Sequence, residues 1–170
     1  FGYISVAAIF GLAHYIKLTF PKMSSIFNLN AYLLLFYVTM RLHFFTDDPI
    51  IVSKIIGLVA LSLVSVFQFF ISVKKKSILL AGIAFLFLSI IAIISNTTHF
   101  MLSVSALLAL VSIVFLYRFG WIRLIYFSLI LVYVINIIWF INNPLMGNEL
   151  KAVSHHNLGY LYLFIIGTIY

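Results

Sequence analysis

Read from its first residue, the chain is a succession of apolar runs with short polar interruptions, and no run alternates apolar with polar residues as a membrane β-strand would. Seven runs stand out: Tyr3 to Phe20, Phe27 to Phe45, Ile50 to Val73, Ser77 to Ser95, Phe100 to Tyr117, Ile122 to Ile141 and Leu158 to Tyr170. The expected fold is all-α, a polytopic transmembrane helix bundle of about seven spans. The last run has only 13 residues, short of the ~20 that cross a ~30 Å hydrocarbon core. With the opening Phe1, this reads as one transmembrane helical domain over residues 1–170, a piece of a longer multi-pass protein.

The interruptions carry helix-stop chemistry. Pro21 follows the first run, Asp47, Asp48 and Pro49 the second, Gly120 the fifth, and Pro144 with Gly147 the sixth. Asn96, Thr97, Thr98 and His99 offer capping side chains to the next helix. Asn142 to Asn157 is the one loop long enough for a shape of its own.

Composition removes the alternatives. With 65% hydrophobic and 8% charged residues, against roughly 25% charged in a soluble domain, the chain cannot make a water-compatible surface. A mean hydropathy of +1.26 spread along its length excludes a soluble domain, a disordered tail and a single-pass anchor. No basic segment precedes the first run and no small-residue cleavage site follows it, so the spans themselves direct insertion. The absence of cysteine excludes disulfides, thiolate metal sites, iron–sulfur clusters and cysteine nucleophiles. Heavy use of Ile, Phe, Asn and Lys points to a bacterial chain, hence to the inner membrane.

The net charge of +7 changes meaning once it is located. Seven basic residues, Lys17, Lys22, Lys74, Lys75, Lys76, Arg118 and Arg123, lie at the loops after spans one, three and five. Only Arg41, Lys54 and Lys151 lie on the other side, with all three acids, Asp47, Asp48 and Glu149. By the positive-inside rule the odd-numbered loops are cytoplasmic and the N-terminus is outside. The expected partners are the bilayer, anionic lipids near Lys74, Lys75 and Lys76, and further helices of the same chain or a membrane partner, with no nucleic acid.

The same sorting gathers His43, His99, His155 and His156 with the acids on an outer rim. Histidine and carboxylate together are ligands for zinc, manganese or iron, which makes these four the candidate metal residues, although no HExxH-type spacing accompanies them. Glu149, His155, His156, Asp47 and Asp48 are candidates for general acid or base work, and Arg41 for binding an anionic substrate or head group. Haem would need two histidines at one depth, and His14 stands alone inside a span; no cofactor is expected. The other deep polar residues, Gln68 and Asn136, are not carboxylates, which argues against a proton-coupled transporter of the usual kind.

Small residues at helical spacing predict packing faces in lipid. They are Ala7, Gly11 and His14 on the first span, Ser53, Gly57 and Ala60 on the third, and Ser105, Ala109 and Ser112 on the fifth.

The segments Asn28 to Phe45, Val59 to Ala84 and Ser105 to Trp139, with the turn Tyr117, Arg118, Phe119, Gly120, Trp121, resemble the bacterial DUF2339 family of multi-pass membrane proteins. The resemblance implies many transmembrane helices in a longer chain of unknown function, and brings no catalytic residues to carry over. The leading expectation is a non-enzymatic membrane module, structural or transport-related. Its competitors are an enzyme acting on a lipid-linked or envelope substrate at the extracytoplasmic face, and the membrane sensor domain of a longer signalling protein.

Overall fold

The computed structural model describes residues 1–44, 53–141 and 156–170, apart from the side chains of His43, His156, Asn157 and Leu158. Among these residues there are seven helices: α1 (Gly2–Tyr15), α2 (Pro21–Phe44), α3 (Lys54–Lys75), α4 (Ile78–Ser95), α5 (Thr98–Phe119), α6 (Ile122–Ile141) and α7 (His156–Ile169). The all-helical expectation holds. Five of them, α2 to α6, are long and apolar enough to cross a membrane. The described helices α1 and α7 have 14 residues each, about 21 Å of rise against a ~30 Å core.

Local chemistry sets the ends. Pro21 opens α2, where its fixed φ and missing N–H cost nothing. Lys76, at φ +50°, reverses the chain after α3, and the Ser77 N–H bonds back to the Ser72 carbonyl at 3.0 Å. The Ser77 side chain then caps α4 by accepting from the Leu80 N–H. Gly120 ends α5 at φ +69°, as its sequence position predicts. Asn96 does something other than expected. It adopts the left-handed conformation at φ 50° and closes α4, while Thr97, the N-cap of α5, makes no side-chain capping bond.

The chain divides into two compact units, Phe1–Gln68 and Phe69–Tyr170. In the first, α1 runs antiparallel along α2. The Tyr3 hydroxyl meets Thr39 Oγ1 at 3.2 Å near one end, and the Phe10 ring edges onto Tyr32 at 5.0 Å in the middle. Toward the other end Ser24 Oγ donates to the Ala13 carbonyl at 2.7 Å, satisfying one of the orphan acceptors of α1's last turn. The buried residues of α1 are Val6 and Ala13, and the α-carbon of Gly2 lies against Val38. This corrects the expected seam: Ala7, Gly11 and His14 are all exposed, and a side chain built on Gly11 would meet nothing within 4 Å. On α3 the buried line is Gly57, Leu61, Ser65 and Gln68; Ser53 is exposed and Ala60 only half-buried.

In the second unit α4 packs on α5 and α6, and α5 on α6 and α7. Phe85, Ile91, Leu102, Leu108, Leu124 and Ile135 fill the interior. Phe69, at the end of α3, lies 5.3 Å from Phe85 and 6.2 Å from Phe115. The predicted α5 seam holds, with Ser105, Ala109 and Ser112 fully buried. Ser89, Ser95, Ser105, Ser112 and Ser128 each donate to a carbonyl three or four residues back in their own helix. A buried hydroxyl satisfied in this way costs little in lipid, and its small volume lets neighbouring backbones approach.

Candidate functional site

The second unit presents two chemically different ends. At one, α3 and α5 finish and α4 and α6 begin, which places Lys74, Lys75, Lys76, Arg118 and Arg123 at helix ends there. Arg123 lines the same open groove as Ile78 and Leu79. Phe119 stacks on Trp121 at 4.8 Å, Phe115 meets Trp121 edge-on at 5.5 Å, and the Arg118 guanidinium lies 6.0 Å from the Phe119 ring centre. Aromatic rings and cations at helix ends are the mixture that suits a membrane–water boundary.

At the opposite end α6 finishes and α5 and α7 begin. The Trp139 indole N–H donates to Thr98 Oγ1 at 3.3 Å, and Gly159 lies directly against the Trp139 ring. From there α7 runs parallel to α5. Its Tyr162 hydroxyl pairs with Ser103 Oγ at 3.1 Å, and its Tyr170 hydroxyl pairs with Ser128 Oγ at 2.6 Å and lies 3.4 Å from Ser112 Oγ. The docking side of α7 is therefore Gly159, Tyr162, Ile166 and Tyr170, with Ile166 buried. None of these four was singled out from the sequence, where the available signal is their recurrence every three or four residues.

The chemistry of this seam is fixed by where its protons go. Ser128 donates to the Ile125 carbonyl, so it serves Tyr170 as an acceptor. A hydroxyl bonded in both directions in this way serves as a strut between α6 and the end of α7. Asn136 is buried and donates to the Val132 carbonyl at 2.8 Å, while its Oδ1 is unpartnered among the described residues. Gln68 is fully buried with neither amide atom partnered among them. Of the three residues singled out as deep and polar, Gln68 and Asn136 are thus interior and His14 is not.

The rim candidates separate. Asp47, Asp48, Glu149 and His155 lie outside the described residues. His43 falls in the last turn of α2 and His156 in the first turn of α7. Arg41 is exposed near the end of α2, and His99 is exposed at the start of α5. His99 and the first turn of α7 come to the same end of the second unit, the one marked by Thr98 and Trp139. Among the described residues no group of three or more His, Asp or Glu gathers as a metal would require. His14 is exposed on α1 and not turned into a helix interface.

No protein-family model matches the chain, and no curated protein or solved structure matches it.

Proposed function

We propose that the chain is a non-catalytic module, structural or transport-related, of a multi-pass protein in a bacterial inner membrane, of the DUF2339 type. The observation that carries this reading is the use made of the buried hydroxyls. In α4, α5 and α6 they are turned back onto their own helices, and the Ser–Tyr and Thr–Trp pairs join helices, so the buried hydroxyls go into assembly, while the amides of Gln68 and Asn136 keep unpartnered atoms among the described residues. Five helices with the length and apolarity of membrane spans give the module its setting.

The orientation proposed is the one with Lys74, Lys75, Lys76, Arg118 and Arg123 in the cytoplasm, because translocating such a cluster is disfavoured. If α1 crosses as well, the N-terminus is outside. Reporter fusions after Lys75 and after Asn143 test this: cytoplasmic reporter activity is expected only after Lys75, and activity after Asn143 would refute it.

A second reading, an enzyme acting on a lipid-linked or envelope substrate at the outer face, draws on one juxtaposition, the arrival of His99 and the His156 turn of α7 at one end of the unit. Glu149→Gln and His156→Ala, made separately, distinguish the two. An enzyme loses turnover with its fold intact, whereas the module keeps its stability and its effect on cells.

A further inference from the structure

Between α4 and α6, within the second unit, lies an open groove of about 320 Å³. Its walls are Leu79, Ile83 and Leu86 from α4 and Phe127 from α6, with the buried Leu124 as floor. Gly82 makes the hollow: where another residue would carry a side chain, the Phe127 ring is 3.8 Å away and the space stays open. The lining is apolar except for one residue, Arg123, which sits at the end where α6 begins. From Ile78 to Leu86 the groove follows about 12 Å of helix, most of the ~15 Å depth of a single leaflet.

We propose that this groove binds one anionic phospholipid of the bilayer, with an acyl chain along Leu79, Ile83 and Leu86 and the phosphate at Arg123. The inference rests on the reading of the chain as membrane-embedded and adds to it a defined ligand site. Charge identifies the occupant. The guanidinium presents several donors in a planar fork suited to phosphate. Lys74, Lys75, Lys76 and Arg118 at the same end raise the local concentration of anions without being part of the groove. A soluble phosphate compound would leave the apolar wall uncovered, and a zwitterionic lipid brings its own cation beside the phosphate, which competes with Arg123 for it.

The test is native mass spectrometry of the full chain in detergent, titrated with phosphatidylglycerol or with phosphatidylcholine of the same acyl chains. One phosphatidylglycerol should be retained at about tenfold lower lipid concentration than phosphatidylcholine, the scale of one charge-assisted contact. Arg123→Gln should abolish that preference and Arg123→Lys should recover part of it. Gly82→Leu, which fills the groove and leaves every charge in place, should weaken retention of both lipids. Leu79→Trp, at a position 58% exposed, should do the same without entering the core. Circular dichroism of each variant checks that the helices remain. Equal retention of the two lipids, an Arg123→Gln variant that still prefers phosphatidylglycerol, or folded Gly82→Leu and Leu79→Trp variants with unchanged retention would each overturn the proposal. So would full displacement by glycerol phosphate, which marks a soluble-anion site. Recovery of the chain outside the membrane fraction, seen before any lipid is added, would instead refute the membrane reading.

Discussion

The first unit joins α1 to α2 along one line of contacts, running from Tyr3 and Thr39 through Phe10 and Tyr32 to Ala13 and Ser24. Little more than a quarter of the most apolar stretch of α2 is buried. In the second unit α4 buries half of its corresponding stretch, and α5 nearly as much, against several neighbours at once. Mean apolarity does not by itself set burial, since α3 and α5 are nearly equal in hydropathy, yet little more than a quarter of the most apolar stretch of α3 is buried against nearly half of that of α5. Lipid is as apolar as leucine, so hydrophobicity cannot decide which side of a helix faces protein. Shape and hydrogen bonding decide it. The second unit is built on Ala81, Ala84, Ser105, Ala109, Ser112 and Ser128, all fully buried, with tyrosine hydrogen bonds tying α7 down and the Trp139–Thr98 bond joining α6 to α5.

That contrast orders the expected effects of substitution. The largest belongs to Gly159, whose α-carbon abuts the Trp139 ring. Gly159→Leu should destabilise the second unit by about 1 to 3 kcal/mol through overpacking, read as a lowered Tm in detergent, and Trp139→Leu in the same chain should recover part of the loss. In the first unit, Ser24→Ala removes the 2.7 Å bond to the Ala13 carbonyl and should cost about 1 kcal/mol, with increased hydrogen exchange near the end of α1. A double-mutant cycle between Tyr170→Phe and Ser128→Ala should yield a coupling of about 0.6 kcal/mol, typical of one hydrogen bond between membrane helices. The smallest effect is expected at Gly11, which is exposed. Gly11→Leu should change stability by no more than about 0.5 kcal/mol or raise it slightly through helix propensity; a loss as large as that of Gly159→Leu would erase the distinction between the units.

The sequence reveals the helices better than their faces, and their ends unevenly: α1 stops at Tyr15 where the run continues to Phe20, and α2 starts at Pro21, ahead of the expected Phe27. The run from Ile122 to Ile141 matches the described extent of α6, and its start is legible because Gly120 closes α5. The α5 seam is legible too, since Ser105, Ala109 and Ser112 recur on one side of a helix that touches several others. The same reasoning fails on α1, where Gly11 looks as much like a packing residue as Gly159 does. What separates them is the neighbour, Trp139 for Gly159 and no atom for Gly11. Arg123 shows the same limit in the candidate site. It is visible in the sequence as one more basic residue of the loop after the fifth run, and its place at the mouth of a groove depends on Gly82 and Phe127, brought beside it by the packing of α4 on α6. Lys76 and Asn96 reverse the chain with positive φ, a role that in α5 is announced by a glycine and here is not.

The central claim is that α4 crosses a membrane, carrying the chain from the basic end of the second unit to the Thr98–Trp139 end. A chain without cysteine makes the test clean, because Lys75→Cys and Thr97→Cys each introduce a single thiol, one at each exposed turn flanking α4. In intact cells an impermeant maleimide should label Thr97→Cys at once and Lys75→Cys only after the membrane is permeabilised. Labelling of both from the same side would contradict the account.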